Sequence, residues 1–261
     1  MVLIFASIMY VSVADGTEII LNSTIDVPDR TVTFENQAFE ITEIGNYKTN
    51  QDIGFSVDAP GVEDMLVVLY DRDKLSVWFK RFYNASGSVV TAIPANKINE
   101  AGTYVIAVSK ERNIIDAIPV VISDYDLTVK PESNKLIAGK KFDVEVDISK
   151  NGVPVNTEKT VKVVIAKGSA SIETNATAIK PGAYKASIEI PLAANGTFSL
   201  YSVITTERKL MNYPEILGIA SGGNIEITQP SAEKTTSFIS WPTTMLTLLG
   251  AALLMRKLYE N

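Results

Sequence analysis

Neither cysteine nor histidine occurs in this chain of 261 residues. Thiol nucleophiles, disulfides, histidine-based triads and ordinary zinc sites are thereby excluded, and the fold must be held by hydrophobic burial alone. A basic surplus is missing too. The 24 Lys and Arg face 30 Asp and Glu, for a net charge of −6 spread along the sequence, so no cationic stripe of the kind that binds nucleic acid is present. No long amphipathic helical pattern lies between the two ends. Nothing that remains forms a catalytic signature, and the expectation is a non-enzymatic protein with no catalytic and no cofactor-binding residue.

What is there is a β pattern. Runs rich in Val, Ile, Tyr and Thr, separated by turn chemistry, fall at residues 53–57, 65–70, 75–82, 103–109, 142–148, 161–166 and 184–190. Asp143, Glu145 and Asp147 alternate with Phe142, Val144, Val146 and Ile148, the period of a strand with one face in the core and one in water. Lys150-Asn151-Gly152 then supplies a hairpin turn, because Asn-Gly tolerates positive φ. The length suits two domains of roughly 100 residues plus terminal segments.

The two halves repeat one another in order. Ile93-Pro94, Gly102-Thr103-Tyr104, Glu111-Arg112, Pro119 and a closing run from Leu127 to Pro131 correspond to Ile190-Pro191, Gly196-Thr197-Phe198, Glu207-Arg208, Pro214 and a closing run from Ile225 to Pro230. The offsets stay between 94 (Gly102 to Gly196) and 99 (Pro131 to Pro230). A duplicated module follows, with a first β-sandwich over 15–124 and a second over 125–229.

The ends are apolar. Residues 1–14 (MVLIFASIMYVSVA) carry no charge, and Ser12-Val13-Ala14 has the small residues that signal peptidase prefers, so the segment reads as a secretory h-region or, alternatively, a buried first strand. No Lys or Arg precedes Arg30, which points to a start codon upstream. Residues 238–255 (FISWPTTMLTLLGAALLM), opening on Phe238 and closing on Met255, form an uncharged run just long enough for one transmembrane helix. Trp241 lies where an outer interfacial aromatic belongs, and Arg256 and Lys257 follow as inner anchors, giving an N-out orientation with a linker at 230–237 and a cytoplasmic tail at 256–261. A helix packed on the β modules is the other reading. Thr243, Thr247 and Ala251 place small side chains on one face of that helix, either as a homo-oligomer contact or simply toward lipid.

The module size, the Glu-x-Gly-x-Tyr run at Glu100, Gly102 and Tyr104, and the Lys150–Val155 hairpin resemble the immunoglobulin-like sandwiches of microbial surface proteins. Tyr104, two residues after Gly102, resembles the tyrosine corner, whose hydroxyl ties a late strand to the preceding loop. The Cys pair and core Trp of true immunoglobulin domains are absent, so the resemblance covers architecture over residues 17–228 and carries no ligand. Tandem layout, acceptor sequons, acidic bias and a basic-capped C-terminal helix together resemble archaeal cell-surface proteins, particularly those of methanogens. That resemblance implies a membrane-anchored extracellular protein with envelope proteins or glycans as partners. The Pro-Gly-Phe sorting motif of such proteins is missing before the helix, which implies a permanent anchor.

Candidate sites are few. Asn22, Asn84, Asn175 and Asn195 head N-glycosylation sequons in loop-like sequence. Asp71 and Asp73 flank Arg72 after a strand, and Asp124 and Asp126 flank Tyr125 at the module junction. Either pair offers oxygen ligands to Ca²⁺, or else serves a hairpin turn or a solvated loop. Trp78, beside Lys80 and Arg81 in LSVWFKRFY, either stacks on a sugar ring or packs in the core.

Overall fold

A computed structural model describes residues 16–230 apart from 86 and 99. The expected signal peptide at 1–14, the helix at 238–255 with Thr243, Thr247 and Ala251, most of the linker before it and the tail after it lie outside the described residues. Among the described residues no helix is long and apolar enough to cross a membrane.

The described chain is all β. Its first half supplies β1 (Glu18–Leu21), β2 (Thr24–Phe34), β3 (Gln37–Lys48), β4 (Ile53–Ala59), β5 (Met65–Tyr70), β6 (Ser76–Phe82), β7 (Gly87–Ile93), β8 (Gly102–Lys110) and β9 (Asn113–Ser123). The second half supplies β10 (Asp126–Pro131), β11 (Lys135–Ile137), β12 (Lys141–Lys150), β13 (Val153–Pro154), β14 (Thr160–Lys167), β15 (Ala170–Asn175), β16 (Thr177–Lys180), β17 (Ala183–Glu189), β18 (Gly196–Leu210) and β19 (Tyr213–Thr228).

Each half pairs an outer sheet with an inner one. The N-terminal half has an outer sheet in the order β1-β4-β7 and an inner sheet in the order β2-β3-β9-β8-β5-β6; the C-terminal half has an outer sheet β10-β12-β17-β16, with β13 on β12, and an inner sheet β11-β19-β18-β14-β15. Pairing is antiparallel except for one parallel contact in each half, β3 with β9 and β11 with β19. The fold is an immunoglobulin-like β-sandwich one, and each half has a core between its two sheets. Ile53, Phe55, Val57, Met65, Leu69 and Ile106 fill the first. Phe142, Val144, Val146, Ile165, Ile188 and Leu200 fill the second.

A third core lies between the halves. On β8, Tyr104, Ile106 and Val108 face the first core while Val105 and Ala107 face the third; on β14, Val163 and Ile165 face the second core while Val164 and Ala166 face the third. The hairpin β2–β3 adds Val32, Phe34, Phe39 and Ile41, the far end of β18 adds Leu210, and the turn after it adds Met211. Four sheets therefore stack as outer, inner, inner, outer, and residues up to Gln229 belong to one compact unit. A strand buried on both faces must be apolar at successive positions, which is how Tyr104 to Val108 and Val163 to Ala166 read.

Local chemistry follows the sequence closely in most places. Asn151 (φ 52°) and Gly152 (φ 76°) turn β12 into β13, with Lys150 opposite Val153. Tyr104 Oη donates to the Glu100 carbonyl at 2.9 Å, closing the expected tyrosine corner. The Ile-Pro pairs correspond: Ile93 and Ile190 are fully buried, and the carbonyls of Pro94 and Pro191 each accept the amide three residues on, at 3.0 Å.

Three parts of the repeat need correction. Glu111-Arg112 is the β8–β9 turn, but its counterpart is Met211-Asn212, because β18 runs 15 residues against 9 for β8. Glu207-Arg208 instead lies within β18. For the same reason Pro119 pairs with Val105 near the start of β8, whereas Pro214 pairs with Lys209 near the end of β18. Leu127 to Pro131 does not close the first half; it lies in β10 and pairs with β12 of the second.

Candidate functional site

The charged candidates are engaged by neighbours. Asp71 Oδ1 accepts the amides of Asp73 (2.8 Å) and Leu75 (2.9 Å), an Asx turn that closes the β5–β6 connection. Asp73 pairs with Arg208 of the other half, and Arg72 pairs with Glu100. Arg72 also approaches the buried Glu215 carboxylate of β19 at 3.9 Å. The Asp-Arg-Asp run is thus a rim contact between the halves. At the junction, Asp126 pairs with Lys48 (2.8 Å) and Asp124 with Lys150, so these two carboxylates turn to separate cations. Among the described residues no group of three or more carboxylates converges on one point.

The sequons differ in setting. Asn84 (φ 52°) and Asn195 are exposed in loops. Asn175, expected in a loop, is the exposed last residue of β15, opposite Lys162. Its sequence ends a strand because Ala176 carries the chain from the inner sheet toward β16 of the outer one. Asn22 is tied down: Tyr47 Oη donates to its Oδ1 at 2.6 Å, and its amide nitrogen fills the space a Cβ on residue 54 would take, so that position is glycine.

A cavity of about 300 Å³ opens between the inner sheets, lined by Val27, Val32, Val164, Val203 and Leu210 with Tyr201 in its wall. Burial pushes the Tyr201 phenol up to about 12, against the downward pull of Arg30. The cations around it are engaged. Lys162 pairs with Glu173 at 3.1 Å, and Arg30 donates to the Pro28 carbonyl and lies 4.8 Å from the Tyr213 ring.

The surface that stands out is the β6–β7 side of the N-terminal sandwich. Here β6 ends the inner sheet and β7 ends the outer one. The β5–β6 register shifts between Leu69–Trp78 and Tyr70–Ser76, a bulge that lets both Val77 and Trp78 reach the first core. Trp78 is half-buried there. Exposure falls instead on Phe79 (68%), Tyr83 (65%) and Leu75 (63%), and across on β7 on Val90 (82%). Lys80 Nζ donates to Thr91 Oγ1 at 3.1 Å, linking the two edge strands, and lies 4.9 Å from the Phe82 ring. The sequence offered sugar stacking or core packing for Trp78; it packs against the first core, and the exposed aromatics are its neighbours Phe79 and Tyr83. The Lys80-Arg81 pair set between Phe79 and Phe82 was the available signal.

No family model and no curated protein matches the chain. Solved structures with similar coordinates include the Lin-41 filamin domain, at 14% identity over 41% of this chain and 93% of that one with a TM-score of 0.29. Others are a DUF4785 family protein of Legionella pneumophila (10% identity, 81% of this chain and 64% of that one, TM-score 0.42) and the Escherichia coli adhesin FdeC (8%, 81% and 64%, TM-score 0.30). The chain spans under two thirds of the latter two proteins. At such scores the immunoglobulin-like assignment rests on the sheets and the tyrosine corner described above.

Proposed function

We propose that this chain is a non-enzymatic, membrane-anchored surface protein of the kind methanogenic archaea carry, exported by its first 14 residues, held by a helix at 238–255, and displaying two immunoglobulin-like modules as a structural or adhesive element. The observation that carries this reading is the third core. Two sandwiches locked face to face make a stiff body, which suits a load-bearing element near a membrane better than a flexible string of modules would. The turns and ion pairs that engage Asp71, Asp73, Asp124 and Asp126 agree with a structural role, and Ca²⁺ at Asp73, Asp124 or Asp126 would first have to displace a cation. Protease shaving of intact cells with mass spectrometry tests the topology. Release of peptides from 16–228, with 238–261 retained in the membrane, supports it, and full protection of the β modules would overturn it. The same peptides should carry glycan at Asn84, Asn175 or Asn195 and leave Asn22 bare.

A second reading, a protein-binding accessory ectodomain, is favoured by the exposed apolar strip on β6 and β7. Beside the exposed aromatics Phe79 and Tyr83, the exposed aliphatic Leu75 and Val90 suit a polypeptide partner.

A further inference from the structure

The β6–β7 side combines three properties. First, both strands are open edges among the described residues, seven residues long and free of proline. Two other edges are guarded: β2 carries Pro28 and a bulge and lies against the C-terminal half, and β10 ends in Pro131. Second, Leu75, Phe79, Tyr83 and Val90 are four of the nine exposed large hydrophobic residues among those described, gathered on two strands and their flanks. Third, the charge there is of one sign. Lys80 and Arg81 lie on β6, neither strand has a carboxylate, and neither cation is ion-paired among the described residues, although the chain as a whole is acidic.

An open backbone edge is satisfied by another strand, exposed apolar side chains by apolar side chains, and unpaired cations by carboxylates. We infer that β6 accepts an extended, acidic–apolar segment of a partner protein by strand addition along Ser76–Phe82, extending the inner N-terminal sheet beyond β6. This rests on the second reading above, a protein-binding ectodomain. A second copy of the chain is the poorer occupant, because antiparallel β6–β6 pairing gathers two Lys80 and two Arg81 side chains in one strip.

The test uses the full chain in detergent micelles and a short fluorescein-labelled peptide alternating Val with Glu. Controls are a Val–Lys peptide and a Val–Glu peptide with a central proline. Expected are saturable binding of the Val–Glu peptide, slowed amide exchange confined to 76–82, and affinity about tenfold weaker for the proline peptide and for the K80E/R81E variant. Should that variant misfold, raising salt on the unaltered protein must weaken binding. Equal binding of the Val–Lys peptide, protection elsewhere, or no binding overturns the proposal. So does protection of 76–82 that grows with protein concentration without peptide, which would name a second copy as occupant. Failure here with shaving still releasing the modules removes strand addition and leaves surface display standing. Peptide binding with full protection on cells does the reverse.

Discussion

Strands β8 and β12 are interior antiparallel strands of nearly equal length, yet they face different surroundings. In β12, Phe142, Val144, Val146 and Ile148 are buried, while the other side is wet; there Asp143 pairs with Lys185 (2.7 Å) and Asp147 with Lys130 (2.5 Å). In β8 every residue from Gly102 to Val108 is buried, because the inner C-terminal sheet covers its second face. A sheet with two apolar faces cannot stand alone in water, so each inner sheet completes the other. The module here is a pair.

The largest test removes the second face. Replacing Val164 by Asp puts an unpaired charge into the third core and should cost about 4–5 kcal/mol, splitting a single calorimetric transition into two. Asp147→Asn on the wet face of β12 should leave the melt almost unchanged.

Next comes the hold of the outer N-terminal sheet. Asp116 of β9 accepts the amides of Ile19 and Ala117 at 2.8 Å each. Burial pushes its carboxyl up to about 6, with those two bonds acting in the other direction. A carboxyl whose folded value is raised favours the protonated native state, so this contribution is fully present below pH 4. It is lost as pH rises through about 6, amounting to roughly 3 kcal/mol by pH 7. Denaturant unfolding as a function of pH should show that fall in the native chain and not in Asp116→Asn.

Between the inner sheets, Thr103 Oγ1 donates to the Ile216 carbonyl (2.7 Å) and accepts its amide (2.9 Å). Thr103→Val takes the partner from both half-buried backbone groups and should cost about 2 kcal/mol. A smaller effect separates the two repeats. Tyr104→Phe removes the tyrosine-corner bond for about 1 kcal/mol, whereas the counterpart position is already Phe198. Least of all, Arg208→Ala breaks an ion pair whose side chains are 45% and 51% exposed, and should change stability by less than about 1 kcal/mol.

Much of the fold was legible. The seven β runs fall on β4, β5, β6, β8, β12, β14 and β17, because two-residue alternation and turn residues act locally. Tyr104 and the Asn151-Gly152 turn were legible for the same reason. The repeat was readable only where both halves kept the same length: the Ile-Pro turns correspond, while the longer β18 shifts Glu207-Arg208 out of register with the first turn. Of the candidate site residues, the Asp71 and Asp124 groups found partners far along the chain, and of the two readings of Trp78 the structure takes core packing, leaving Phe79 exposed beside it.

By itself, then, the sequence determined that the described chain is all β, where most strands run, and that no thiol or imidazole chemistry is available, since periodicity, turn residues and composition need no knowledge of distant neighbours. Only the tertiary structure decided that the two halves share a core, that Asp73 meets Arg208 across 135 residues, and that β6 and β7 are left open among the described residues. An apolar face specifies that it must be covered, but hydrophobic burial is non-directional, and what covers it depends on which surfaces the folded chain brings together.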